Sequence, residues 1–254
     1  MSKITLGAWH PVTGAFTSES VSDGHPDKIC DQISDAVLEA CLARDPAARV
    51  AVEAAIKDGD VFVLGEVTTT AVIDVDAIVR DVLAGIGHAD GRWGVDPRRV
   101  AVHAHLGRQS PEIAAGVDGA GDLGAGDQGM MFGFACDDTP ERMPLPIALA
   151  HRLMRRHREV RGAAAGGALG PDAKSQVTVR YDAGRAVAID TIVLSTQHAP
   201  ELGLAALREL VVEEIVRPCL ADRGLESCRI LVNPAGTFHQ GGPVADAGLT
   251  GRKI

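Results

Sequence analysis

Four consecutive residues, His25-Pro26-Asp27-Lys28, put an imidazole, a carboxylate and an ammonium on what reads as the first turn of a helix. Proline suits that turn, because its missing N–H would find no intrahelical partner there. A helix N-terminus leaves backbone N–H groups unpaired and carries partial positive charge, so His25 and Lys28 beside it describe a phosphate-sized anion site. Asp27 in the same turn could hold a divalent metal that accompanies such an anion. Taken in isolation, the tetrapeptide favours the simpler reading of an ordinary capped helix start with Asp on the dipole. Two further pairs carry charge at useful spacing. Asp172 and Lys174 stand two apart, on one side of an extended segment, a weak signal by itself. Glu53 and Glu66 fall on two β-branched, alternating runs joined by Asp58-Gly59. With those two residues as a tight hairpin turn, Glu53 faces Leu64 and Ala51 faces Glu66, so the glutamates are diagonal neighbours roughly 7–8 Å apart on one sheet face. That pair suits a cation or a ligand's amino group, and equally two solvated acids on an open face.

The elements that must position these groups follow from periodicity. Residues 26–44 carry Ile29, Ile33, Ala36, Val37, Ala40 and Cys41 at three-and-four spacing, an amphipathic helix. Asp27, Asp31 and Asp35 recur on another face, the last two expected to be solvated. Hairpin strands follow at Arg49 to Ile56 and Val61 to Thr70, then a helix capped by Asp74 and ended by Gly87, then a strand at Arg99 to Leu106. His103 and His105 on that strand read as structural. Gln109 to Gly126 is glycine-rich without periodicity, and loops of that length in compact domains are usually functional lids or linkers. Gly124, Gly126 and Gly129 satisfy G-x-G-x-x-G, but the run 130–135 after them reads as a strand, which excludes a dinucleotide fingerprint. The second half repeats the first: that strand, a helix from about Pro146 to Arg161, a hairpin (Ser175 to Tyr181, Arg185 to Ser195) turning at Ala183-Gly184, a helix from about Leu204 to Val216, and a strand at Arg229 to Val232. Ala163 to Gly170 reads as a flexible connector, and Arg152, Arg155, Arg156, Arg158 and Arg161 as the wet side of their helix. The fold class expected is α+β, built of tandem βαββαβ repeats.

The chain has 254 residues, 46% hydrophobic and 23% charged, enough for two core-forming units. Aromatics are 3%, so the cores must be aliphatic. A net charge of −9 argues against a nucleic-acid footprint spread over the surface, so no nucleic-acid partner is expected, while it leaves room for a local basic pocket. No segment reaches the roughly 20 apolar residues of a membrane span, and the N-terminus lacks a signal-peptide core, so a cytoplasmic protein without a membrane partner is expected. The five scattered cysteines read as reduced thiols.

The text resembles the S-adenosylmethionine synthetase (methionine adenosyltransferase) family. The resemblance rests on F-T-S-E-S-V-S-D-G-H-P-D-K, on G-E-V-T-T around Glu66, on Q-S-P-E-I from Gln109 and on G-A-G-D-Q-G-M-M-F-G from Gly124. P-D-A-K-S-Q-V from Pro171, S-T-Q-H from Ser195 and G-L-T-G-R-K-I at the end complete it. It implies three βαββαβ repeats about a pseudo-threefold axis, two of them present here, in a homodimer or dimer of dimers with active sites at the subunit interface. The reaction implied is attack of methionine sulfur on C5′ of ATP, releasing tripolyphosphate that is hydrolysed to pyrophosphate and phosphate, with Mg²⁺ and K⁺ as cofactors.

The expected parts are an N-terminal extension (1–14), a first repeat (15–108), a mobile active-site loop and linker (109–126), a second repeat (127–240) and the start of a C-terminal domain (241–254). By motif, His25 and Lys28 would be catalytic, with His25, Asp172, Lys174, Phe238, Asp246, Arg252 and Lys253 binding ATP. Glu66, Gln109 and Asp246 would bind methionine, Asp27 would bind Mg²⁺ and Glu53 K⁺, and Asp127 would lie near the site. Thr237, Gly170 and Gly119 stand where the family usually has basic residues. The family's G-G-x-F-S-G-K-D segment and third repeat are expected to lie beyond Ile254, which implies little activity for this chain alone. The alternative is a non-catalytic partner that modulates a full-length homologue.

Overall fold

A computed structural model describes residues 13–110, 112, 130, 132–163, 167–220 and 228–253. The residues 113–129, which carry most of the expected lid and Asp127, lie outside that set.

Strand β1 (Gly14–Val21) leads into helix α1 (Pro26–Leu42). His25 caps α1, its Nδ1 accepting from the Asp27 N–H at 3.2 Å, and Ile29, Cys30, Ile33, Val37 and Cys41 form its buried stripe. Strands β2 (Arg49–Lys57) and β3 (Asp60–Thr68) form the hairpin in the register expected, Glu53 opposite Leu64 and Ala51 opposite Glu66. Helix α2 (Val75–Leu83) is capped by Asp74, which accepts from the Ala77 N–H, and runs on through a wide turn at Ala84–His88. Strand β4 (Ala101–Gly107) then pairs parallel to β3. Helix α3 (Leu145–Ala163), strands β5 (Leu169–Asp182) and β6 (Arg185–His198), helix α4 (Leu204–Val211, continued to Cys219), strand β7 (Arg229–Val232) and the short strand β8 (Gly248–Leu249) complete the order.

The strands make two four-stranded sheets, β4-β3-β2-β8 and β1-β5-β6-β7. In each, a hairpin is flanked by an antiparallel strand on one side and a parallel strand on the other. Helices α1 and α2 close one face of the first sheet over Ile29, Ile33, Ile56, Val61, Val63 and Leu83. Helices α3 and α4 close the second over Leu149, Leu153, Val177, Ile192, Leu207 and Ile215. The two halves are thus equivalent α+β units, as the repeat pattern implied.

Four expectations need correction. First, β1 does not join its own hairpin: it pairs with β5 from Gly14↔Tyr181 to Val21↔Lys174, while β8 takes the matching place beside β2. Second, residues 132–135 form no strand; Met130, Phe132 and Phe134 are exposed, and β1 holds the position that strand would fill. A β-prone apolar run becomes a strand only when it pairs with a neighbour, and its intrinsic preference alone does not decide that. Third, Leu169 and Gly170 are strand rather than connector, because Leu169 is buried and faces His198. Fourth, Asp31 is not simply solvated: its Oδ1 accepts from the Gly251 N–H at 2.8 Å.

Candidate active site

The start of α1 is gripped from both sides by backbone. Ser22 N–H donates to Ala173 O at 2.9 Å, Gly24 N–H to Pro171 O at 3.2 Å, and the Ser22 hydroxyl to Pro171 O at 2.6 Å. A Cβ on Gly24 would lie 2.4 Å from Pro171 Cβ, and one on Gly248 would lie 2.2 Å from Pro26 O. Only glycine allows such approach. These contacts draw the beginning of β5 and the 248–253 segment onto the first turn of α1.

Asp27 is the hub. Its Oδ2 accepts from Lys253 Nζ at 2.6 Å and its Oδ1 from the Leu249 N–H at 3.0 Å, with Arg252 Nε 4.0 Å away. Burial alone would raise its pKa, but the bonds from Lys253 and Leu249 outweigh burial and hold it below the usual carboxylate value. Thr250 is stapled beside it, its Oγ1 accepting from Ala54 N–H at 2.8 Å and lying 2.7 Å from Ser34 Oγ. Asp172 is buried, accepts from Gly242 N–H at 2.7 Å, and is pushed up to about 6 by burial and by Asp246, against the pull of Gly242 and Lys174. Lys174 is half exposed and pairs with Glu19 at 3.2 Å. Burial, Lys253 and Lys174 depress the His25 pKa, while Asp27 and Asp246 oppose them. His25 therefore shares one electrostatic environment with Asp27, Lys174, Asp246 and Lys253. Because its Nδ1 accepts from Asp27 N–H, the neutral ring carries its proton on Nε2, which is left as a donor.

The remaining expected residues are placed less centrally. Lys28 joins the edge of this cluster through backbone, its Nζ 3.2 Å from Asp31 Oδ2 and donating to Lys253 O at 3.4 Å. The Phe238 ring lies against Gly241, and its carbonyl accepts from His198 N–H at 2.9 Å. Arg252 is mostly exposed. Glu53 and Glu66 lie exposed on the outer face of the first sheet, and Gln109 beyond β4 accepts from Arg49 Nε at 3.3 Å. No contact joins Glu66 or Gln109 to His25 among the described residues. Glu19 and Thr250 carry no signal in the sequence pattern, whereas Asp31 follows Asp27 by one helical turn, the spacing that lets both grip the 249–251 backbone.

As a metal site, the described residues contain no group of three His, Cys, Asp or Glu side chains able to hold an ion. Asp27 offers a single carboxylate whose two oxygens are already engaged by Lys253 and the Leu249 N–H, so an ion there would take its other ligands from outside the described side chains. Glu53, with only Glu66 diagonal to it on the same exposed face, offers one carboxylate and no cage. A cavity of about 460 Å³ lined by Arg92, Trp93, Arg158 and Arg161 includes none of these residues.

Residues 13–111 match the S-adenosylmethionine synthetase N-terminal domain, and residues 122–238 match the S-adenosylmethionine synthetase central domain. The chain belongs to the S-adenosylmethionine synthetase family. The S-adenosylmethionine synthase of Synechococcus sp. (strain RCC307) is 53% identical over 260 residues, covering 94% of this chain and 64% of that protein. The chain thus spans just under two thirds of the length of that relative. Both domains of the family that it matches contribute to the corner: His25 and Asp27 come from the first, Asp172 and Lys174 from the second.

Proposed function

We propose that the chain provides the triphosphate-handling part of a methionine adenosyltransferase, which makes S-adenosylmethionine from ATP and methionine. The observation that carries this reading is the convergence of His25, Asp27, Asp172, Lys174, Asp246 and Lys253, from three separate segments, around one helix start. In the reaction the methionine sulfur forms a bond to C5′ of ATP, the C5′–O bond breaks, and tripolyphosphate leaves with the electron pair. Water then cleaves tripolyphosphate to pyrophosphate and phosphate. The nucleophile is neutral and the leaving group polyanionic, so fixed positive charge and N–H donors where that charge develops are the main lever.

In this reading Lys174 and Lys253 face the phosphates, His25 donates from Nε2, and the start of α1 adds its partial positive charge. Asp172 and Phe238 orient the nucleoside, and Asp246 reaches both substrates. Asp27 would hold Mg²⁺ arriving with the triphosphate, supplying charge neutralisation. Glu53 as a K⁺ ligand, and Glu66 and Gln109 as methionine contacts, belong to the same reading. They would serve a site completed by a second copy, in a cytoplasmic homo-oligomer. The exposed Phe62, Leu64 and Leu249 on the outer face of the first sheet suit such a partner.

Calorimetric titration of the purified chain with a non-hydrolysable ATP analogue and Mg²⁺ tests the reading. Binding is expected, weakened about tenfold or more by Lys253→Ala, a loss of the size of one charge-assisted contact. Undiminished binding in that variant would overturn it. Turnover by this chain alone is expected to be weak, and a steady-state assay showing family-typical rates would refute that part.

A further inference from the structure

The arginine run of α3 divides into two sets with different work. Arg152 and Arg156 bond outward to α4 and the segment after it, through Cys219 O and Glu214 O. Arg155 and Arg158 instead line a groove of about 290 Å³ between α1 and α3, together with Ser20, Asp23, Lys28 and His151. That is below the ~300–1,000 Å³ of sites for drug-sized ligands and suits a small ion.

Four of these groups are basic and one is acidic. Asp23 is already committed, taking Arg161 at 2.9 and 2.8 Å on its two oxygens and Arg158 at 3.3 Å. Arg155 has no ion pair among the described residues. His151 is fixed by its Nδ1, 2.8 Å from Ser20 Oγ, which leaves Nε2 as its remaining polar atom. Collecting like charges around a concavity costs repulsion, and low-dielectric walls concentrate the field there. The imidazole registers that field: burial first, then Arg155 and Lys28, hold it below the ordinary histidine value. A helix whose basic residues were merely solvated would spread them apart.

We propose that the α1–α3 groove binds a small multivalent oxyanion of the phosphate type, such as inorganic phosphate or pyrophosphate, separately from the His25–Lys253 corner. Arg155 and Arg158 would supply planar donor forks matched to phosphate oxygens, and Lys28 a point charge. The proposal does not depend on the adenosyltransferase reading.

The test is a metal-free titration of the chain with pyrophosphate, followed by calorimetry and by the NMR signals of the His151 ring. Expected are a shift of the His151 resonances towards the protonated ring and at least tenfold weaker groove binding in Arg155→Ser/Arg158→Ser. Lys174→Ser, in the other corner, should leave the His151 response unchanged. Arg155→Ser alone touches an exposed, unpaired residue, and should weaken binding severalfold even if the double variant does not fold. Unmoved His151 signals at saturation would overturn the proposal. So would equal affinity in Arg155→Ser, or a His151 response lost only in Lys174→Ser. Equal responses to pyrophosphate and to ADP would assign the site to a diphosphate group of either source, whereas a response to pyrophosphate alone would assign it to the free ion.

Discussion

Asp172 shows at the scale of one residue how function can be separated from stability. Its carboxyl is buried and raised from the ordinary 3.8 to about 6, burial being the largest cause. Below about pH 4 it is protonated in both folded and unfolded chains. Between about pH 4 and 6 the folded chain keeps a proton that the unfolded chain has released, so stability falls as pH rises through that window and stays lower above it. Asp172→Asn removes the penalty, and its amide oxygen can still accept from Gly242 N–H. We expect the variant to gain up to ~3 kcal/mol relative to the parent between pH 4 and pH 7, from two units at about 1.4 kcal/mol each. Urea unfolding at both pH values measures it, and a parallel pH dependence in the two proteins would refute it. A carboxylate kept where it weakens the fold is a sign of chemistry at that position. The same substitution should therefore weaken nucleotide binding while strengthening the fold.

At the scale of elements, the corner depends on the clasp between α1 and the 248–253 segment. Asp27 holds Leu249 N–H and Lys253, Asp31 holds Gly251 N–H, and Thr250 bridges Ala54 and Ser34. Asp27→Ala leaves a largely buried ammonium and a backbone donor without partners, which costs about 3 kcal/mol. Hydrogen exchange should show Leu249 and Gly251 losing protection while the β2–β3 amides keep theirs; intact protection at Leu249 would count against the clasp. The sequence made the start of α1, the β2–β3 register and the charged candidates readable, because each is set by residues a few positions apart. Asp58-Gly59 fixes a turn, and the turn fixes the pairing of Glu53 with Leu64. What joins Asp27 to Lys253 is 226 residues of separation, and local pattern says nothing about that. The same holds for β1, whose alternation is indifferent to which hairpin it pairs with. Residues 132–135 show the converse, a strand-like text that pairs with no strand.

At the scale of the whole molecule, the two sheets are tied by exchanged strands. Strand β1 lies within the N-terminal family match yet completes the sheet of the central one, and β8 follows the central match yet extends the sheet of the first. Arg161 reinforces the tie, reaching from α3 to both Asp23 oxygens and to Ile86 O. Neither half can therefore bring His25 to Asp172 by itself, because the β1–β5 register carries Val21 to Lys174 and so sets the helix start beside the second carboxylate. Deleting residues 13–21 separates this arrangement from ordinary domain behaviour. If each half were self-contained, the deletion would loosen the first sheet, β2 to β4. Strand exchange gives the opposite expectation: the amides of Ser175, Val177 and Val179 on β5 should lose protection, while Val61 and Val63 on β3 remain slow. The deletion also exposes an unpaired β5 edge, a template for pairing with another chain, so the variant should self-associate at lower concentration than the parent. Protection lost first on β3, with β5 unchanged, would rule out the exchanged strand as the element that positions the site.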